Sequence, residues 1–248
     1  PSPTVATVPG AAPTRPPPRV VVETKADEIV DRTSRPSNKY VVAQAAPTSD
    51  KWVCAIDFGT SRTAFALGER SSIVLPNREI HVRCSAPKGS VPMADISTKA
   101  PTIIAIEQGT NNVVGFGQAA HQALHKNPAT VMLFKWFKMA LKDLQTTDDN
   151  PMIQDAQGRM CDLMTVISQA LRFLGDAAME EINAEMQRRP QGRPVLTHEI
   201  EWVITVPAIW NSFAKSFMRR AAVRAGLIAA ELSSNCTIIR EPEAASYE

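Results

Sequence analysis

VCAIDFGTSRTAFAL, residues 53–67, is the stretch on which the reading of the whole chain turns. An apolar run ends at Asp57, then come Gly59, Thr60 and Ser61, and a second apolar run begins at once. Two apolar, β-prone runs around so short a polar break predict a hairpin, with Trp52 to Phe58 as a buried strand and Thr63 to Leu67 as its partner. A plain turn needs little more than Asp and Gly. This one also carries two hydroxyls, and Gly59 lets backbone N–H groups come close to a ligand. Successive N–H groups at Gly59, Thr60 and Ser61 form a concavity that suits phosphate oxygens. Asp57 repels a phosphate directly, but it can hold Mg2+ or its waters, and the metal then bridges carboxylate to phosphate.

Working outward, Ile80 to Cys84 alternates like a half-exposed strand, and Pro101 to Ile106 is β-branched. Asn111-Asn112 signals a turn before a strand at Val113 to Phe116, which Gly117 ends ahead of a helix. In VMLFKWFKMALKDL, residues 131–144, the residues Leu133, Trp136, Phe137, Ala140, Leu141 and Leu144 recur at helical spacing. That pattern predicts an amphipathic helix with Lys135, Lys138 and Lys142 on its solvated side. A longer stripe follows, from Leu163 through Val166, Ile167, Ala170, Leu171, Leu174 and Ala178 to Ile182, and RRPQGRP closes it. The helices from about Ala129 to Gln187 are expected to form an outer subdomain beside the sheet. Trp202 to Val206 reads as a strand stopped by Pro207. Ser212 reads as the cap of a helix that ends at Gly226, and Thr237 to Ile239 as a last strand before Glu241-Pro242. The class is mixed α/β.

Composition separates a tail from a domain. Residues 1–49 are rich in Pro, Ala and Thr and too poor in large apolar residues to offset the entropy of ordering them. Within this tail, Pro13-Thr14-Arg15-Pro16 fits the P-x-x-P pattern of a weak SH3-type contact. Residues 50–248 hold the apolar patterning. The 27 Lys and Arg against 25 Asp and Glu give a formal charge of +2, which makes no electrostatic case for nucleic acid. No apolar run approaches a membrane span, so no membrane partner is expected. Cys54, Cys84, Cys161 and Cys236 form no CxxC pair, which fits a reducing, cytoplasmic compartment. The sequence begins without Met, as a piece of a longer chain would.

Four segments carry a family resemblance. AIDFGTSRTAFAL resembles the first phosphate loop of the actin and 70 kDa heat-shock ATPases, and VITVPAIWNSFAKSFMRRAAVRAGL looks like the strand, Val-Pro-Ala turn and helix of those chaperones. IIREPEAAS resembles their Asn-Glu-Pro segment, and FGQAAHQALHKNPATVMLFKWFKM the stretch between. The order and gaps agree too, whereas actins and sugar kinases share only the first loop. EWVITVPAIW, KSFMRRAA, EPEAAS, FKMAL and QALRFLGDAAMEEI look most like the heat shock 70 kDa protein 12 family. The resemblance covers residues 51–248 and leaves out the tail.

That resemblance implies the ribonuclease H-like α/β fold of the actin-like ATPases, first lobe only, over residues 50–248. It implies ATP and Mg2+ in a cleft, slow hydrolysis in the complete protein, and recognition of client proteins. Gly59, Thr60 and Ser61 would contact phosphate, Asp57 would orient the hydrated Mg2+, and Glu241 would position metal-bound or attacking water. Pro207 and Lys215 match positions that relay nucleotide state to a substrate domain. His121, in Gly117-Gln118-Ala119-Ala120-His121, stands where the resemblance implies a lysine aimed at the transferred phosphate. An imidazole supplies less charge there. This substitution motivates an alternative, a non-hydrolysing nucleotide sensor or interaction scaffold. His121 and His125 lie four apart, as metal ligands on a helix do, but no third ligand is in view. A metabolite kinase of the same superfold would need a sugar-binding segment, and residues 68–200 supply none. The sequence stops soon after the Glu-Pro segment, so a second phosphate loop and an adenosine-binding lobe are expected beyond it. One lobe alone is expected to bind ATP weakly or not detectably.

Overall fold

The hairpin forms around the stretch that opens the reading. In β1 (Trp52–Phe58) the side chains alternate: Trp52, Cys54, Ile56 and Phe58 are buried and those between are half-buried. β2 (Arg62–Glu69) returns antiparallel, in register from Trp52↔Glu69 to Phe58↔Thr63, so only residues 59–61 make the turn. β3 (Arg83–Ser85) and β4 (Ala100–Pro101) pair antiparallel with β2. This computed structural model describes residues 51–71, 83–85, 99–142, 144 and 151–241. The Pro-rich tail with its P-x-x-P pattern, most of the strand read at Ile80 to Cys84, residues 145–150 and the residues after Glu241 lie outside the described residues.

A second sheet follows in the chain: β5 (Ile103–Glu107), β6 (Val113–Phe116), then α1 (Gln118–Lys126) and β7 (Val131–Lys135), in the antiparallel order β6-β5-β7. Next come the hairpin β8 (Met152–Gln154) and β9 (Met160–Asp162), the long α2 (Leu163–Gln187), β10 (Ile200–Val206), α3 (Ser212–Ala225) and β11 (Cys236–Arg240). The main sheet runs β11-β10-β1-β2-β3, with β10 parallel to both β1 and β11. The architecture is mixed α/β. α2 starts where the Asp162 carboxylate accepts from the N–H groups of Met164 and Thr165, an N-cap. Its apolar stripe from Leu163 to Ile182 is buried. At Gly175 an added Cβ would lie 2.3 Å from the Leu227 side chain, so a glycine lets α2 sit this close to its neighbours. One core joins α2 and α3 to Cys54, Ile56, Trp202 and Ile204 of the main sheet and to Ile104, Phe116 and Phe134 of the second.

The structure corrects two readings. Residues 131–144 do not form one amphipathic helix, and the expected outer helical subdomain gives way to the second sheet, with α2 built into the core. Val131 to Phe134 are all buried because both faces of the second sheet are covered: Val131 and Leu133 pack with Ala105 and Ala120 of α1, while Met132 and Phe134 face the main core. A short, fully apolar run of this kind is consistent with a strand and with a buried helix alike. Trp136 then takes a left-handed backbone, φ 51°, and a 3-10 turn covers Phe137–Leu141. The second correction concerns the cap of α3. Asn211, not Ser212, supplies it, its Oδ1 accepting from the Ala214 N–H at 2.9 Å. The Asn211 Nδ2 also donates to the Leu144 carbonyl at 2.9 Å, tying the start of α3 to the end of that turn.

Asn211→Ala removes both contacts. A lost N-cap costs about 1 kcal/mol, and a carbonyl deprived of its donor adds a comparable amount. Asn211→Asp keeps the cap alone and is expected to fall midway between wild type and Ala in the midpoint of urea unfolding.

Candidate functional site

The hairpin turn is fixed by its neighbours before any ligand is considered. Gly59 donates its N–H to the Asp57 carbonyl at 3.1 Å. A Cβ at position 59 would lie 2.1 Å from the Arg62 carbonyl oxygen, so the tightness of the turn demands glycine. The Gly59 N–H is thereby used inside the turn. From outside, Thr102 braces the loop three times. Its N–H donates to the Ser61 carbonyl at 2.9 Å, its hydroxyl donates to the Gly59 carbonyl at 2.8 Å, and the same hydroxyl lies 2.7 Å from the buried Thr63 hydroxyl.

Asp57 sits where β1 ends, beside Thr205 of β10 in parallel register. Its Oδ1 accepts from the Thr205 hydroxyl at 3.2 Å, and its Oδ2 is ion-paired with the Lys99 ammonium. Both partners of that ion pair are well exposed, so it contributes little and a stronger cation can displace it. Among the described residues, no group of three or more His, Cys, Asp and Glu could hold a metal. One carboxylate beside hydroxyls matches Mg2+, which keeps several waters and takes one or two carboxylates together with phosphate oxygens.

Lys138 is the residue that sequence reasoning set aside as solvated. It is 1% exposed, and its Nζ has no hydrogen-bond partner. Burial pushes its ammonium down to about 8, against the opposing pull of Glu241 and Asp57. A buried cation is therefore set close enough to both carboxylates to feel their charge, one at the end of β1 and one just past β11. His121 lies half-buried on α1, its pKa lowered by burial and then by Lys135. Glu241 is exposed directly after β11. Pro207 accepts from the Trp210 N–H at 3.1 Å, and Lys215 is half-exposed in the first turn of α3. The Lys138 ammonium thus lies over Phe58, the residue before the glycine turn, and feels the charges of Glu241 and Asp57. A signal for Lys138 was present in the sequence as a lysine between Phe137 and Leu141 in a run of aromatics. The helical spacing assigned it to the wrong side.

Other features of the described residues lie away from this loop. A cavity of about 300 Å³, lined by Trp52, Met186, Arg189 and Glu199, is at the opposite end of β1. Cys54 and Cys236 are buried, and burial pushes both thiols up, so they pack and do not react. No helix among the described residues is long and apolar enough to cross a membrane.

The low Lys138 pKa is also a statement about stability. The folded chain gives up this proton near 8 and the unfolded chain near the ordinary lysine value of about 10.4. Between those limits the unfolded state binds more protons, so stability rises with pH across the window. At pH 7 the buried charge costs on the order of 2–3 kcal/mol. Lys138→Met is therefore expected to be the more stable protein at pH 7, and its advantage over wild type should shrink as pH rises from 8 towards 10. Urea unfolding of the two proteins at pH 7 and pH 9.5 measures the difference.

No protein-family model matches the chain. Heat shock 70 kDa protein 12A of Mus musculus is 30% identical over 218 residues, covering 85% of this chain and 30% of that protein. Heat shock 70 kDa protein 12B of Homo sapiens is 29% identical over 222 residues, 88% of this chain and 31% of that protein. Heat shock 70 kDa protein 12A of Homo sapiens is 33% identical over 201 residues, 78% of this chain and 28% of that protein. The chain spans about 30% of the length of the curated relatives it matches. Over the residues those matches cover, the chain belongs to the heat shock 70 kDa protein 12-like family.

Proposed function

We propose that this chain supplies the phosphate-binding half of an ATP site in a chaperone-like protein, built on the ribonuclease H-like fold of the actin-type ATPases. The strand order β11-β10-β1-β2-β3, antiparallel through β1, β2 and β3 and parallel across β1, β10 and β11, supports that fold. The observation that carries the functional reading is Lys138, a buried ammonium with no hydrogen-bond partner beside two carboxylates at a glycine turn. A free-standing structural role does not account for a charge kept at such cost.

In this reading Thr60 and Ser61 donate to phosphate oxygens, and Gly59 keeps the turn tight enough for their approach. Bound Mg2+ would neutralise phosphate charge and orient the terminal phosphoryl group. Asp57 is the residue that would hold the metal's water shell, in place of its exposed ion pair with Lys99. Lys138 places fixed positive charge where the transferred phosphoryl group becomes more negative, a contribution worth a few kcal/mol in preorganised sites. Glu241 orients water. The charge that the resemblance implies from a lysine at position 121 falls in this reading to Lys138, a buried lysine that feels both Glu241 and Asp57. With that charge supplied, the case for a non-hydrolysing sensor loses its motive, and slow hydrolysis in the complete protein is the preferred reading. Client proteins are the proposed partners.

Titration of the chain with ATP, ADP and AMP, followed by phosphorus NMR, tests this. Binding is expected to be weak, on the order of millimolar, because little of the ligand is buried by one wall. It should strengthen from AMP to ATP and depend on magnesium. Asp57→Asn should abolish most of the magnesium dependence, and Lys138→Met should erase the preference for ATP over AMP. Equal affinity for AMP and ATP, or a magnesium titration unchanged in Asp57→Asn, would overturn the assignment.

A further inference from the structure

A buried ammonium needs some compensation, and the structure shows what Lys138 has in place of a hydrogen bond. Its Nζ lies 4.6 Å from the centre of the Phe58 ring and 5.1 Å from that of Trp210. The rings reach it from different elements. Phe58 is the last residue of β1, next to Asp57, and Trp210 belongs to the turn between β10 and α3. Both rings are buried, and the residues that carry them are also held by contacts that do not involve the lysine. Phe58 leans on Phe137, ring centres 6.2 Å apart. Trp210 donates its N–H to the Pro207 carbonyl and precedes Asn211, which is anchored to Leu144 and caps α3.

We propose that Phe58 and Trp210 are positioning residues, an aromatic clamp that holds the Lys138 ammonium charged and unpaired so that its donors remain for an incoming phosphate oxygen. The charged groups that act on Lys138 are Asp57, already bonded to Lys99 and Thr205, and Glu241 past β11. A salt bridge to either carboxylate would neutralise the ammonium and take away a group that the metal or the water needs. Ring faces stabilise a cation without consuming a carboxylate. Two rings buried independently of the lysine also fix where its Nζ sits, which a mobile surface lysine cannot achieve. This inference rests on the phosphate-site reading and extends it to residues outside the glycine turn.

The test is made on the whole chain with no ligand added, so its result does not depend on whether ATP binds. Lysine labelled with carbon-13 and nitrogen-15 gives an Nζ resonance for residue 138, assigned by its loss in Lys138→Met, and this resonance is followed against pH. Removing a ring while the site stays buried takes away support for the charged form. Trp210→Leu and Phe58→Leu should therefore titrate lower than wild type, by up to about one unit. Trp210→Phe should stay close to wild type. A merely structural role gives the opposite sign, because a loosened, hydrated site moves the lysine up towards its ordinary value. Uniform replacement of tryptophan by fluorotryptophan keeps the shape, weakens the ring face and should also lower the midpoint, so a reading survives even if a leucine variant does not fold. A midpoint that is unchanged or raised in folded leucine and fluorotryptophan proteins would overturn the clamp.

Discussion

β1 is hydrogen-bonded on both sides, and Asp57 and the glycine turn take their positions from that fact. On one side β2 returns antiparallel and in full register, which limits the connection to three residues and draws it tight. On the other side β10 runs parallel, setting Thr205 beside Asp57. Parallel strands share the edge at which they end, so the glycine turn after β1 and the turn carrying Trp210 after β10 leave the sheet together. Open sheets with parallel strands bind ligands just outside such ends. The third contributor, Lys138, reaches this edge from the second sheet, since the 3-10 turn that holds it follows β7 directly.

The energetics of that edge oppose its placement there. Most of the core is ordinary: alternating strands and two helices bury aliphatic and aromatic side chains, each worth about 1.5–3 kcal/mol. Lys138 works against this, and Trp136 does so as well in a smaller way, since a tryptophan at positive φ is a strained backbone. The two lie within three residues of each other. Strain and buried charge are thus concentrated in one short turn, where they oppose stability locally.

Much of this was legible in the sequence, and the reason for each success is local. The limits of β1, the stop at Gly117, the stripe of α2 and the stop at Gly226 each depend on period, glycine or proline alone. The run Val131 to Phe134 was not legible, because a strand buried on both faces loses the alternation that identifies strands. That single ambiguity sent Lys138 to the solvent side of an imagined helix. Asp57 and the glycine turn were found as a motif. Thr102, Thr205 and Lys99 were not, since each reaches the turn only through tertiary pairing of segments 40 or more residues distant.

Thr102 has one more effect. It stands at the junction between the two sheets and holds two carbonyls of the glycine turn at once. A glycine-containing loop ordinarily samples many shapes, and a ligand that selects one of them loses affinity in doing so. Here the selection is made during folding, by Thr102. The turn is therefore already shaped in the folded chain, and under the phosphate-site proposal less conformational freedom remains to be lost on binding.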